Sequence, residues 1–234
     1  MSVWVVAVVA VLAIILAIAV ILGNGAGSSE PTDPTPVTTS AGSPSGSPSV
    51  DPSEFVDVSV TDQGWLPEPI TTDRDAYVEA AIRAGATFDT TLATREKWVV
   101  WLGSWFTPSP LYSDPADAAD QMNGYLAELD QSVLLPQSTW DDLDDDDGGR
   151  VEAELASPIT YLDLPETSAA NVWTGSADVK VTYLRDSGDG ESSYSDTVRV
   201  SVQVVCGGLS VPTPGSQQRP GDCKVVRFFD TAVG

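Results

Sequence analysis

Residues 3–22 read VWVVAVVAVLAIILAIAVIL, twenty consecutive apolar residues without a charged side chain. A helix of that length, at about 1.5 Å per residue, spans roughly 30 Å, the thickness of the hydrocarbon core of a bilayer. A buried core helix is one alternative, but core helices are rarely apolar on every face. A cleaved signal peptide is another, although its apolar part is usually about 7–15 residues and follows basic residues. The run therefore predicts an uncleaved, single-pass membrane anchor at residues 1–23.

Residues 24–50 are composed mainly of Pro, Ser, Thr and Gly and show no apolar periodicity. Such a segment cannot bury a face, so the conformational entropy of the chain keeps it disordered. We predict a linker that holds residues 51–234 away from the membrane. Basic residues near the span give little guidance on orientation, because the first one in the chain is Arg74.

Two cysteines, Cys206 and Cys223, stand in the turn-rich contexts VVCGG and GDCKVV at the two ends of a Gly/Pro-rich segment. A disulfide would close that loop, at a gain of roughly 3 kcal/mol in the chain-entropy model. Two free thiols in a reducing compartment are the alternative. Behind an export segment the disulfide is favoured, which places the C-terminal domain on the extracytoplasmic side of a cell membrane.

The formal net charge is −23, from 34 acidic and 11 basic residues. A field of this sign repels phosphate backbones, so we expect no nucleic-acid partner. The chain has no histidine, which excludes Ser–His–Asp and Cys–His catalysis and leaves no tetrahedral metal site. No glycine-rich phosphate loop is present either. We predict no enzyme, no cofactor and no metal site.

The remaining sequence predicts an α+β domain at residues 72–234, after a leading segment at 51–71 that contains one short strand. Helical periodicity indicates two to three helices, the first capped by Thr72 and ending near residues 89–91. The second is capped by Thr94, and the third by Asp114 with Pro115 in the first helical position. Later segments alternate with period two and predict a curved antiparallel sheet of about four strands. Their sequences are RVEAEL, ADVKVTYL, TVRVSVQVV and CKVVRFF.

Trp98, Trp101 and Trp105 follow one another at helical spacing in the second predicted helix. A row of tryptophans on one face suits a ligand-binding platform. It also suits packing against the core, and this second interpretation is favoured because such stripes are usually buried.

Six of the seven residues from 141 to 147 are aspartates. An EF-hand loop needs an oxygen ligand at its first position and glycine at its sixth. With Gly148 at the sixth position, the first is Leu143, which cannot bind a cation. We therefore expect a solvated, self-repelling loop at 141–147 rather than a calcium site, although weak cation binding by the carboxylates stays open.

The segment YVEAAIRAGATFDTTLATREKWVVWLGSWFTPSPLY, together with the terminal strands, resembles the bitopic inner-membrane subunit of type IV secretion systems and its Gram-positive conjugation counterparts. The resemblance covers residues 72–230 by order of elements. It implies a nuclear-transport-factor-2-like extracytoplasmic domain that acts by protein contacts and oligomerisation, without catalysis.

Two functions therefore remain in view. One is a scaffold component of an envelope apparatus, whose partners are the membrane through residues 3–22 and either envelope proteins or a second copy of itself. It predicts a filled interior and an exposed apolar patch. The other is a small-ligand-binding module, which predicts a pocket between the helices and the sheet, lined by the tryptophans.

Overall fold

The structure, a computed structural model, describes residues 51–132, 136–145, 148–163, 170–187 and 190–229. The predicted anchor at residues 3–22 and linker at 24–50 lie outside these ranges. Among the described helices, none combines the length and the apolar character that crossing a membrane requires. The described residues all belong to one compact unit, which corresponds to the predicted extracytoplasmic domain and its leading segment.

Within the described residues, four α-helices precede the main strands. They are α1 (Arg74–Ala84), α2 (Arg95–Gly103), α3 (Pro115–Ser132) and α4 (Gln137–Asp145). The first three correspond to the predicted helices. The fourth was not predicted, because its composition is dominated by aspartate.

The start of α1 is one residue later than the sequence suggested. Asp73 caps the helix instead of Thr72, since its Oδ1 accepts hydrogen bonds from the N–H groups of Asp75 at 2.9 Å and Ala76 at 3.2 Å. A carboxylate in this position also interacts favourably with the positive end of the helix dipole. Asp114 caps α3 as predicted, accepting from the N–H of Ala116 at 2.8 Å.

The predicted end of α1 near residues 89–91 is wrong. The helix ends at Ala84, and Phe88–Asp89 form a two-residue strand, β1. Phe88 is the partner of Val151 in that pairing, and 1% of its surface is exposed. In the sequence, Phe88 continues the helical spacing of Tyr77, Ala81 and Ala84. A buried aromatic side chain fits a helix or a strand, so this spacing made the predicted helix too long.

The sheet has six strands, all pairs being antiparallel, in the order β1-β2-β4-β5-β6 with β3 against β4. After β1 come β2 (Arg150–Leu155), β3 (Thr160–Tyr161), β4 (Val172–Ser187), β5 (Gly190–Gly207) and β6 (Gly221–Phe228). The four long strands contain three of the predicted ones and all of the fourth except its last residue, Phe229. The additional strands, β1 and β3, have two residues each, which is too short for a period to be recognised.

Strands β4 and β5 are antiparallel partners, paired without a register shift from Val172↔Val205 to Ser187↔Gly190. One face of the sheet carries the apolar residues of the alternating pattern and packs on the helices. The buried set on this face includes Val179, Val181, Val200 and Val202. These valines and several aromatic side chains pack together in the core between the helices and the sheet.

The leading segment contains two turns of 3₁₀ helix, Pro52–Glu54 and Val58–Gln63, where a short strand was predicted. Each turn begins at an aspartate whose carboxylate accepts the N–H of the second residue on, Asp51 from Ser53 and Asp57 from Ser59. Local capping of this type competes with strand pairing, which explains why the alternation in this segment was misleading.

Candidate functional site

The three tryptophans of the predicted stripe lie in different environments. Trp98 and Trp105 are buried, with 2% and 0% of their surface exposed. The ring centroid of Trp98 is 5.4 Å from that of Phe88, and the centroid of Trp105 is 6.0 Å from that of Tyr77. Trp101 is half-buried and faces partly outward. The stripe is therefore mainly core packing, and one ring of the three reaches the surface.

The exposed part of Trp101 belongs to an apolar patch that we call the aromatic surface. Trp101 stacks on Trp65, with a centroid distance of 5.0 Å and an angle of 23° between the rings. Val100 beside them has 75% of its surface exposed. Together they form an open recess of about 450 Å³, which Gln63, Glu96 and Lys97 complete. Two stacked indoles beside an exposed valine are typical of a protein-docking surface.

A tight turn places Trp65 in this patch. Gly64 has a φ of 74°, in the left-handed region that glycine adopts without strain. A Cβ atom at this position would lie 2.7 Å from Cβ of Asp89. The turn brings the N–H of Trp65 to the carbonyl oxygen of Val60 at 3.3 Å. Gly64 is therefore required both for the backbone conformation and for the close approach to residue 89.

Beneath this region lies a buried ionic network. Glu68 and Lys224 have 2% and 1% of their side chains exposed, and Nζ of Lys224 is 2.8 Å from Oε1 of Glu68. The same carboxylate oxygen accepts hydrogen bonds from the hydroxyl of Tyr77 at 2.6 Å and from Nε2 of Gln218 at 3.1 Å. Within the described residues, Oε2 of Glu68 has no hydrogen-bond partner.

The ammonium group of Lys224 is fully engaged. Besides Glu68, it donates to the carbonyl oxygen of Ser104 at 3.1 Å and to Oγ1 of Thr213 at 2.7 Å. Burial lowers the pKa of Lys224, and the nearby carboxylate opposes that shift. Burial and the charge of Glu68 raise the pKa of Tyr77 well above its usual value. Within the described residues, every polar atom of the network except Oε2 of Glu68 is thus hydrogen-bonded inside the protein, which suits a structural role.

The network supports the aromatic surface from inside. Ser104, whose carbonyl accepts from Lys224, also donates its hydroxyl to the carbonyl oxygen of Trp101 at 2.6 Å. Glu68 follows Trp65 by three residues in the leading segment. One buried pair therefore holds the leading segment and the end of α2 in register, so that the two tryptophans can stack.

A second recess, which we call the Arg83 groove, lies between the leading segment and α1. Its volume is about 390 Å³, and its lining is apolar except for the side chains of Thr61 and Arg83. The Nε of Arg83 donates to the carbonyl oxygen of Ala153 at 3.2 Å. The other lining residues are Phe55, Val58, Leu66, Pro67 and Ala80. This groove is not the pocket between helices and sheet that the ligand-binding hypothesis requires.

The aspartate run is largely helical rather than a loop. Residues 141–145 form the second half of α4, and Asp146 and Asp147 lie outside the described residues. Trp140 and Leu143, three residues apart, are buried with 3% and 1% of their surface exposed. The two apolar residues attach the helix to the core while the carboxylates face solvent. Among the described residues, no group of three potential metal ligands comes together.

Cys206 and Cys223 form a disulfide, as the sequence predicted. The bridge joins β5 to β6 across the loop that also supplies Thr213 and Gln218 to the ionic network. The N–H of Cys223 donates to the carbonyl oxygen of Thr71 at 2.8 Å. The disulfide therefore holds the two ends of the loop together. It also fixes the position of Cys223, the residue that precedes Lys224 in β6.

Sequence reasoning missed the Glu68–Lys224 pair entirely. The two residues are separated by 156 positions, and neither stands in a motif. Lys224 interrupts an apolar strand, and a lysine within such a run is the one signal that could have indicated a buried partner.

Comparison with known proteins gives a limited result. The chain matches no protein-family model and no curated protein. Among solved structures, an IcmL-like type IV secretion system protein from Legionella pneumophila subsp. pneumophila str. Philadelphia 1 is similar, with 18% sequence identity and a TM-score of 0.39. The match covers 67% of this chain and 91% of that one.

Proposed function

We propose that this chain is a single-pass membrane protein whose C-terminal domain lies on the extracytoplasmic side. There it acts as a non-catalytic assembly component of a secretion-like or conjugation-like apparatus in the cell envelope. The aromatic surface is its docking site for another envelope protein. Membrane attachment is through residues 3–22, and the linker at 24–50 gives the domain its reach.

The observation that carries this proposal is the aromatic surface itself. Val100 is 75% exposed and lies beside the half-buried Trp101, which stacks on the buried Trp65; exposed apolar area of this kind is costly to leave in water. Tryptophans that are partly buried and rigidly held are the residues that most often dominate protein–protein binding energy. The other two tryptophans of the stripe are buried in the core, which favours the assembly role over a tryptophan-lined ligand pocket.

The compartment is supported by the disulfide. Disulfides persist in oxidising compartments and are rare where thioredoxin and glutathione keep thiols reduced. The Cys206–Cys223 bridge therefore agrees with the apolar run and the Pro/Ser/Thr-rich linker, which precede the domain in the order expected of an exported, tethered protein.

The test is a charge placed in the aromatic surface of the full-length protein in its own membranes. We expect Val100→Glu to abolish co-purification of envelope proteins, because a carboxylate would have to be desolvated at the centre of the interface. The matched control is Val211→Glu, since Val211 is another exposed valine, with 54% of its surface accessible. Both variants should unfold at the wild-type temperature, because surface substitutions usually change stability by less than about 0.5 kcal/mol. Retention of every partner by Val100→Glu would overturn the proposal.

The Arg83 groove supports a second candidate function, the binding of a small amphipathic carboxylate. The groove offers apolar lining of the size that small ligands need, with one guanidinium to receive an anionic group. In that case the purified protein should carry an extractable amphiphile that Ala80→Trp, which fills the groove, eliminates. Mass spectrometry of solvent extracts from both proteins distinguishes the two functions.

A further inference from the structure

Within the described residues, the outer edge of β5 is open from Glu191 to Arg199. Strand β6 and Phe229 cover it only from Ser201 onward: Val202 pairs with Phe228, and the N–H of Phe229 donates to the carbonyl oxygen of Ser201. Because backbone groups alternate in direction along an antiparallel strand, every second residue before Ser201 also points its N–H and C=O outward. These residues are Glu191, Ser193, Ser195, Thr197 and Arg199. Within the described chain, no other strand pairs with this edge.

The open edge lacks several of the devices that usually prevent strand pairing, although it carries the charged residues Glu191, Asp196 and Arg199. Residues 191–199 contain no proline and no lysine, and their register with β4 is unbroken. Long, regular and unprotected edges are templates for a further strand. One local contact occupies a backbone donor, since Oδ1 of Asp196 accepts from the N–H of Thr197 at 2.7 Å. This exposed carboxylate has to rotate away when a strand docks.

We propose that a second copy of this chain pairs antiparallel with this edge, so that two β5 strands meet about a two-fold axis at Ser195. Ser195 is the midpoint of the five outward-pointing residues, and only this register uses all of them. Centring the axis at Thr197 would direct the pairing into Ser201, whose carbonyl already accepts from Phe229. Centring it at Ser193 would leave Arg199 without an opposite residue in the ladder.

The register is also self-complementary in charge. With the axis at Ser195, Glu191 of one copy stands directly opposite Arg199 of the other, and the symmetry repeats the pair. Both side chains are accessible, 45% for Glu191 and 37% for Arg199. Each has an ion-pair partner within its own chain, Arg150 and Asp178 respectively, so the dimer would join existing pairs into larger networks. No like charges stand directly opposite each other.

Aromatic side chains cover the other face of the junction. Tyr194 has 57% of its surface exposed and stacks on Tyr183 of β4 at a centroid distance of 4.5 Å. In the proposed register, Tyr194 and its symmetry mate are diagonal neighbours, within reach of aromatic side chains. A second copy therefore covers the large exposed tyrosine, which an unrelated extended peptide would cover only by chance.

The net charge of −23 opposes self-association at low ionic strength. At about 0.15 M salt the Debye length falls to roughly 8 Å, so repulsion between distant charges is largely screened while the adjacent Glu–Arg pairs persist. Pairing should therefore strengthen as salt is raised to this range. This inference goes beyond the proposed function, which concerns another envelope protein, and it depends on residues outside the aromatic surface. Val100→Glu should leave it intact, so the two proposals can fail separately.

The experiment introduces one cysteine at a time into the full-length protein in its own membranes at about 0.15 M salt. Residues directly opposite in a hydrogen-bonded pair have Cα atoms about 5.5 Å apart, a distance that a disulfide spans. Ser195→Cys should therefore form a covalent homodimer under mild oxidation. The matched control is Ser193→Cys, because its symmetry mate would lie four residues along the strand, roughly 13 Å away, and should not cross-link.

Glu191→Arg and Arg199→Glu, each in the Ser195→Cys background, should reduce dimer formation about tenfold, since each creates two like-charge pairs. The two changes together should restore it in part, because the ion pairs between the copies form again while those with Arg150 and Asp178 within each chain are lost. Equal cross-linking of Ser195→Cys and Ser193→Cys would indicate random collision and overturn the proposal. So would the absence of dimer, or a product of Ser195→Cys with a different protein, which would assign the edge to a foreign strand.

Discussion

Lys224 uses all three ammonium protons inside the protein, toward Glu68, Ser104 and Thr213. A charge buried to this extent is tolerated because its partners replace the lost hydration. Glu68 likewise collects donors from α1 and from the loop after β5. The pair links segments that no local interaction would hold together, so its loss should affect the whole domain.

Removing either charge alone should destabilise the protein more than removing both. Glu68→Gln leaves the Lys224 ammonium buried without a carboxylate partner, and Lys224→Met leaves the Glu68 carboxylate buried without an ammonium partner. Either change should lower the free energy of unfolding by about 3–5 kcal/mol. The double variant should lose no more than either single one. Urea unfolding of the full-length proteins, followed by tryptophan fluorescence, measures the free energies. Additive losses would show that the two charges do not interact.

The hydroxyl of Tyr77 gives a pH-dependent prediction. The pKa of Tyr77 is raised in the folded state, above the value of 10.0 for an unperturbed tyrosine. Above pH 10 the unfolded chain therefore releases this proton while the folded chain retains it, and stability falls as pH rises. Below pH 10, the free energy of unfolding of the wild type should exceed that of Tyr77→Phe by about 1.5–3 kcal/mol, which is the contribution of a hydrogen bond to a charged group.

The difference between wild type and Tyr77→Phe should then shrink by about 1.4 kcal/mol for each pH unit above 10. Chemical denaturation of both proteins from pH 7 to 11 measures it. Effects of other tyrosines cancel, because both proteins contain them. A difference that stays constant to pH 11 would contradict a buried, neutral Tyr77.

At the scale of elements, the disulfide secures the loop between β5 and β6, which spans a sequence separation of 17. Its loss should cost roughly 3 kcal/mol by chain entropy, which corresponds to a fall in Tm of about 6–12 °C for a domain of this size. Cys206→Ala/Cys223→Ala, measured by thermal unfolding, tests this value. Reductant should lower the Tm of wild type by a similar amount, and an unchanged Tm under reduction would show that the bridge is not stabilising.

Periodicity predicted the elements that bury one regular face. The first three helices and the four long strands follow their apolar spacing, and the cap at Asp114 follows from its sequence context. Helix α4 was missed because charge dominates its composition, although the buried pair of Trp140 and Leu143 has helical spacing. The strand predicted in the leading segment was wrong because capping aspartates favour 3₁₀ turns there.

The candidate site was only partly predictable. The tryptophan stripe was recognised from its spacing, but spacing does not determine which ring reaches the surface. That depends on Trp65, which the turn at Gly64 brings against Trp101 from a distant part of the sequence. The ionic network and the open edge of β5 arise from tertiary pairing over long separations, for which a single sequence carries no periodic signal.

At the scale of the whole molecule, the described domain has a core of valines and aromatic side chains between the helices and the sheet, one disulfide, and an apolar patch at Val100 and Trp101 that is partly open to solvent. The proposed function assigns the docking of an envelope protein to this patch, which the stacking of Trp101 on Trp65 holds in place.

The most direct measurement is site-specific photo-crosslinking in the cells that produce the protein. A photoreactive amino acid replaces Val100 in the full-length chain, and a second variant carries it at Val211 as the control. We expect a discrete covalent product with a membrane- or envelope-bound protein from position 100 and none from position 211, with mass spectrometry identifying the partner. Equal products from both positions, or none from position 100, would contradict docking through the aromatic surface.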